Sequence, residues 1–240
     1  MDSIDSDKYY VHERLIFRQL GVVGFDPAAI FDVGSSHGGW SERISKIFSN
    51  VEFHLFEPLV DVKPWYRQSC ERLIGSRSNF DLHKILLGDA NGRCNIVSDS
   101  DGYSASILLA GATGNLNEIW PVEIWRLDDF VATRGLPKPE IIKLDVQGAE
   151  LLVLTGAQRT LGNVKVVQTE VSFVRAYGPR NPLFHEIIEY LEGRNLKLFE
   201  LGETTYTERH ELFQCDAFFV HDSLLESWKG ILPKRALTVK

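Results

Sequence analysis

Residues 29–40 read AIFDVGSSHGGW, and the fold turns on how this stretch is taken. Residues 29–33 are a short, nearly unbroken apolar run ending at a glycine, the pattern of a strand buried on both faces. Residues 34–39 (GSSHGG) form a glycine-rich turn, and residues 40–48 read as the helix behind it. Gly34 and Gly38 can adopt positive φ and let another molecule approach the backbone. The helix directs unpaired N–H groups at the same space.

The same alternation continues outward. Residues 51–56 (VEFHLF) read as a second strand, a helix is expected between 62 and 74, and 81–87 (DLHKILL) reads as a third strand. Asn91-Gly92 is a hairpin signal leading into a strand at 93–97. Residues 140–145 (EIIKLD) make another strand, with a helix over 149–161 stopped by Gly162-Asn163. A strand at 164–170, a helix at 183–192 and closing strands at 196–201 and 213–220 follow. Residues 8–20 carry apolar side chains near helical spacing, so 1–27 is read as a helical extension, suited to a homodimer surface or to covering a pocket. The pattern predicts an α/β domain spanning 1–240. Its sheet is mostly parallel with helices on both faces, a hairpin insertion and an antiparallel closing pair. In such sheets ligands bind outside the C-terminal strand ends, where strand order reverses.

The glycines fall as G-x-x-x-G-G, not the G-x-G-x-x-G of dinucleotide enzymes, and no Lys-Ser/Thr follows as in a phosphate-cradling loop. That suits a nucleoside without a pyrophosphate, although a tight turn alone explains the glycines equally well. Glu57 follows the second strand in Phe56-Glu57-Pro58. An acid at that place accepts hydrogen bonds from both ribose hydroxyls of an adenosine. The bland reading is a solvated loop carboxylate.

The chain has 240 residues, 44% hydrophobic and 25% charged, enough for one full core and too short for two enzymes in series. With 26 Lys+Arg against 33 Asp+Glu the net charge is −7, which argues against a nucleic-acid partner. No apolar run approaches the roughly 20 residues needed to span a bilayer, and the N-terminus lacks a signal-peptide pattern. Cys70, Cys94 and Cys215 are odd in number and widely spaced, as expected of buried reduced thiols. A cytoplasmic protein without membrane contact is the expectation.

Five stretches together resemble the FkbM family of class I S-adenosylmethionine-dependent methyltransferases: IFDVGSSHGGW at 30–40, FEP at 56–58, LLGDANG at 86–92, WRLDDF at 125–130 and IIKLDVQGAELLVLTGA at 141–157. The resemblance implies a seven-stranded Rossmann-like sheet, S-adenosylmethionine as cofactor, and O-methylation of a hydroxyl on a sugar, polyketide or similar small molecule. It implies that Asp32, Gly34, Ser35, Ser36 and Gly38 line the methionine end. Glu57, with Pro58 beside it, would hold the ribose, Gly88 and Asp89 would flank the adenine, and Asp145 would sit near the sulfonium. Gln147 stands where the family commonly has Glu.

Methyl transfer to an alcohol needs the acceptor oriented in line and its proton removed. Lys143 and Asp145 are i and i+2 on one strand, so they share a face near its C-terminal end. Asp145 is the candidate base, or a ligand to the cofactor's charged end, and Lys143 would lower a neighbouring pKa. A structural pair anchoring the following helix explains both residues equally well. His37 lies in the glycine loop as a base or, more simply, a loop donor. His185-Glu186-Ile187-Ile188-Glu189 misses the zinc pattern H-E-x-x-H at its last position, so no metal is expected. Residues 98–118 and 172–182 are expected to be substrate loops, the second carrying Arg175, Tyr177 and Arg180. Two other functions compete: an NAD(P)-dependent oxidoreductase on the same sheet, and a nucleoside-binding protein without chemistry.

Overall fold

The central run forms β1 (Ala29–Val33), with every residue buried. Its neighbours are β2 (Glu52–Phe56) and β7 (Ile141–Leu144), both parallel to it. In this computed structural model residues 11–98, 105–108 and 118–229 are described. The strands β3 (Phe80–His83), β8 (Val166–Ser172), β9 (Leu196–Tyr206) and β10 (Leu212–His221) complete a seven-stranded sheet of order β3-β2-β1-β7-β8-β10-β9. The last strand, β10, inserts antiparallel between β8 and β9, and the remaining neighbours in the sheet pair in parallel.

Alternation along the strands sorts the core into two layers. Ile30, Phe53, Ile141, Val166 and Phe218 face one side. They pack against α1 (Val11–Val22), α2 (Gly39–Ile44), α3 (Pro64–Ser76) and α7 (Asp222–Lys229). Phe31, Ile142, Val167 and Phe219 face the other, under α4 (Leu127–Arg134), α5 (Glu150–Gly156) and α6 (Phe184–Glu192). Helix α1 buries Ile16, Phe17 and Leu20 within this chain, while Leu15 and Val22 stay exposed. Phe17 is fully buried, edge-on to Trp40, Phe48 and Phe218 at 5.9, 6.3 and 6.1 Å.

Two expectations need correction. The run 81–87 is not one strand: β3 ends at His83, and Leu86–Gly88 forms β4 of a separate three-stranded sheet. Asn91-Gly92 does turn the chain, but not into a hairpin. Strand β5 (Gly92–Ser98) pairs antiparallel with β6 (Glu118–Arg126), and β4 pairs parallel with the other edge of β6. A strand from later in the chain thus lies between the two arms. The small sheet packs through Leu86, Ile96 and Ile124 on Leu59 and Tyr66, beside the C-terminal ends of β1 and β2. Of the expected loop 98–118, residues 99–104 and 109–117 lie outside the described residues, as do 1–10 of the N-terminal extension. Cys70 and Cys215 are buried free thiols, whereas Cys94 is only half-buried.

Candidate active site

Strand order reverses between β1 and β7, so the chain leaves these neighbours in opposite directions and opens a space above their ends. Gly34 fills the exit of β1 at φ 74°, and a Cβ there would meet the Asp145 carbonyl oxygen at 1.9 Å. Glycine is therefore needed for both conformation and clearance. The turn continues through Ser36 at φ 52° to Gly38 at φ 80°, the residue before α2.

A cleft of about 260 Å³ opens above this turn. Gly34, Ser36, Glu57, Pro58 and Asp145 line it together, so five expected site residues share one surface. Glu57 is nearly buried, and its two oxygens accept the backbone N–H groups of Ser36 (2.8 Å) and Leu59 (2.9 Å). Burial outweighs these bonds and pushes its carboxyl up to about 7. Each oxygen keeps a second lone pair for a ligand hydroxyl.

Lys143 and Asp32 stand behind the lining. The Lys143 ammonium donates to the Gly34 carbonyl at 3.0 Å and lies 3.4 Å from both Asp32 Oδ1 and Asp145 Oδ2. Burial opposes its charge, but Asp145, Asp32 and Asp216 outweigh burial and hold its pKa above the usual lysine range. Asp32 is fully buried and also accepts Ser41 Oγ at 2.7 Å, which ties the strand to α2. Ser35 Oγ is buried with no hydrogen-bond partner among the described residues. His37 packs on Trp65 at 5.1 Å, with Nδ1 3.3 Å from Ser36 Oγ. Burial first, then Arg43, lowers its pKa.

Gly88 and Asp89 do not reach the cleft. Gly88 is clamped between Ile124, which a Cβ would meet at 2.7 Å, and Gly156, whose own Cβ would meet the Gly88 oxygen at 2.0 Å. Asp89 is exposed, and its carbonyl accepts Arg126 Nη1 at 2.8 Å. The wall on that side is apolar instead, made by Ile85, Leu86, Leu87, Ile96 and Tyr66. These residues were hidden in what reads as an ordinary buried strand and helix. An apolar run directly after the third strand was the available signal.

A row of carboxylates crosses the sheet beside the cleft. Leu144 pairs with Thr169, so the next residues, Asp145 and Glu170, emerge side by side, and Asp216 pairs with Glu170. Gln147 donates to Asp145 Oδ1 at 2.8 Å and lies 3.5 Å from Glu170 Oε2, which also accepts Gln214 at 2.8 Å. Burial, then Asp145, Glu150 and Asp216, raises Glu170 well above the usual carboxylate range. Tyr177, from the expected substrate loop 172–182, donates its hydroxyl to Gln147 and packs over Gly148. Glu150 organises the turn below, accepting the N–H groups of Val146 (3.2 Å) and Gly148 (3.1 Å) on one oxygen. Sequence pattern alone does not single out Glu170, Gln214 and Asp216, because only the pairing of β10 with β8 makes them neighbours. Glu186, half of the near-zinc pattern, caps α6 by accepting the Leu183 N–H at 2.7 Å.

Residues 32–198 match the family model described as the methyltransferase FkbM domain. Over 171 residues, 66% of this chain and 68% of the relative, the protein is 30% identical to the 2-O-methyltransferase NoeI of Sinorhizobium fredii (strain NBRC 101917 / NGR234). A solved structure of methyltransferase FkbM from Methylobacillus flagellatus KT matches 80% of this chain, at TM-score 0.50 and 17% identity; the match spans 43% of that longer chain. The N-methyltransferase NodS from Bradyrhizobium japonicum WM9 matches 92% of this chain and 99% of its own, at TM-score 0.50 and 9% identity, a likeness of fold alone. The model match covers well over half of the sequence: the chain belongs to the FkbM methyltransferase family.

Proposed function

We propose that this protein is an S-adenosylmethionine-dependent O-methyltransferase acting on a hydroxyl of a small molecule. The observation that carries this is the joint placement of Gly34, Ser36, Glu57 and Asp145 around one cleft at the switch point of the sheet. The cofactor's parts fit what is there. Glu57 offers free lone pairs to a ribose, Ile85, Leu86 and Leu87 offer an apolar wall to an adenine, and the unpartnered Ser35 Oγ and the turn 34–38 lie toward the methionine end. Bound there, S-adenosylmethionine supplies an electrophilic methyl group.

The chain's own residues then do two things. They hold the acceptor in line, which contributes up to roughly 7–11 kcal/mol, and they take up its proton, worth about 10²–10⁴-fold. Glu57 and Asp145 are both carboxylates lining the cleft; with Glu57 given to the ribose, Asp145 takes that proton in this reading. Lys143 cannot serve as a base, because flanking carboxylates keep it charged; it fixes Asp145 and the Gly34 carbonyl in place. Gln147 holds the far side of Asp145 and links it to Glu170, and Tyr177 ties the 172–182 loop to Gln147. Oxygen as the accepting atom is supported by the 30% identical relative, described as a 2-O-methyltransferase.

The test is incubation of the purified protein with methyl-labelled S-adenosylmethionine and a panel of hydroxylated small molecules. Label in an ether product, together with S-adenosylhomocysteine, is expected. Label only in amine or carbon products would contradict oxygen transfer, and its absence from all products would contradict the enzyme reading.

A further inference from the structure

Gln147 stands between Asp145 and the loop 172–182, and its backbone is strained. It takes φ 53°, left-handed for a residue that is not glycine, directly before Gly148 at φ 89°. Such a conformation is costly and persists only where the surroundings fix it. Here the side chain is held at both ends. Its Nε2 donates to Asp145 Oδ1 at 2.8 Å and lies 3.5 Å from Glu170 Oε2, while its Oε1 accepts the Tyr177 hydroxyl.

One orientation of the amide satisfies these neighbours. Two carboxyl groups on one side call for the NH2 end, which leaves the carbonyl oxygen for the hydroxyl of Tyr177. Burial first, then Glu170, raises Tyr177 above the usual tyrosine range, so the hydroxyl keeps the proton it donates. An ionised glutamate at this position would accept from Tyr177 but could not donate to Asp145.

The loop in turn fixes Tyr177. Its N–H donates to Asn181 Oδ1 at 3.2 Å, and Asn181 is fully buried. Asn181 itself donates to the carbonyls of Gly178 and Pro182, both at 3.0 Å. Arg175 bonds the Asn181 carbonyl and reaches Glu186 on α6 at 2.9 Å. The Tyr177 ring sits on Gly148, where a Cβ would meet it at 2.7 Å. Direct contacts therefore run from buried Asn181 through Tyr177 and Gln147 to the carboxylate at the cleft.

We propose that Gln147 and Tyr177 are positioning residues for methyl transfer, through which the 172–182 loop sets the orientation of Asp145. This rests on the reading of Asp145 as the proton acceptor. Lys143 lies 3.4 Å from Oδ2 and Gln147 bonds Oδ1, so the carboxylate is held from both ends. Each oxygen keeps a lone pair for the acceptor's O–H. An acceptor seated against the loop is thereby matched to the group that takes its proton.

The experiment compares the parent with Tyr177→Phe, Gln147→Leu and the double variant. Initial rates are measured with methyl-labelled S-adenosylmethionine and the hydroxylated compound of the panel that the parent methylates. Side-chain amide NMR of protein carrying isotope-labelled glutamine follows Gln147, whose signals are identified by their loss in Gln147→Leu. Tyr177→Phe keeps the ring over Gly148 and should lower kcat about three- to tenfold, the range of one net hydrogen bond, with KM for S-adenosylmethionine unchanged. It should also move the Gln147 amide signals. The double variant should be no slower than Gln147→Leu alone, because Tyr177 acts through Gln147. Thermal unfolding checks each variant, and Gln147→Asn, which tolerates left-handed φ, replaces Gln147→Leu if that protein does not fold. Full kcat in Tyr177→Phe, losses that multiply in the double variant, or amide signals unmoved by Tyr177→Phe would each overturn the proposal. A parent that methylates nothing overturns the enzyme reading instead, which no behaviour of the variants of an active parent can do.

Discussion

Lys143 and Asp145, two residues apart at the end of β7, stand 3.4 Å from each other, and the same ammonium lies 3.4 Å from Asp32 on the neighbouring strand. One buried cation therefore serves two carboxylates, of which Asp32 has no exposure at all. Removing one partner of a buried pair strands the other charge and costs about 3–5 kcal/mol. Lys143→Met should destabilise the protein by about that amount in urea unfolding. Adding Asp32→Asn should recover much of the loss, and no recovery would show that Lys143 acts through packing.

Asp145 lines the cleft, whereas Asp32 does not. Asp145→Asn should therefore lower turnover at least about tenfold, with S-adenosylhomocysteine affinity nearly kept. Initial rates and calorimetry on the same preparation check both halves. Unchanged turnover would remove Asp145 as the proton acceptor.

Burial raises Glu57 and Glu150 to about 7 from 4.5, and Asp216 to about 6 from 3.8. Their folded pKa values exceed the unfolded ones, so the folded state binds protons more tightly. The stability they contribute is present at low pH and is lost as pH rises toward about 7. His83 acts in the opposite sense. Burial lowers it from 6.5 to about 4, so its stability contribution is lost as pH falls through that window. Urea unfolding across this range should show maximal stability on the acid side of neutrality. Glu150→Gln keeps an oxygen for the Val146 and Gly148 N–H groups and should flatten the decline toward neutral pH. A decline of unchanged slope would remove Glu150 as its source.

Gln147 separates two carboxylates and donates to Asp145. Gln147→Glu would put a third carboxylate there while preserving the size of the side chain. A loss of about 1–3 kcal/mol is expected at alkaline pH, where all are ionised, and a smaller loss on the acid side. Unfolding at two pH values measures it; equal losses at both would point to geometry rather than charge.

Legibility of the sequence followed burial. Residues 29–33 are buried throughout, so composition alone placed β1 with its observed limits. The run 81–87 misled because His83 and Leu86 are close in sequence and equally compatible with a strand, yet belong to different sheets. Nothing local to Asn91-Gly92 shows that β6 will come between the arms of its turn. Strand β6 itself escaped because Pro121 argues against a strand, although β6 alternates in exposure as a half-buried strand does. Within the site, Gly34, Glu57 and Asp145 were legible because each follows a strand end. Glu170 and Asp216 were not, since only the antiparallel register of β10 against β8 makes them neighbours.

The central claim is that the cleft between Gly34, Glu57 and Asp145 holds S-adenosylmethionine. Its most direct test is calorimetric binding of S-adenosylhomocysteine and of NAD to the parent protein and to Glu57→Ala. The account predicts saturable binding of S-adenosylhomocysteine alone, weakened at least about tenfold by the substitution, since a ribose would lose its carboxylate partner. Binding of NAD in its place, or S-adenosylhomocysteine affinity untouched by Glu57→Ala, would contradict it.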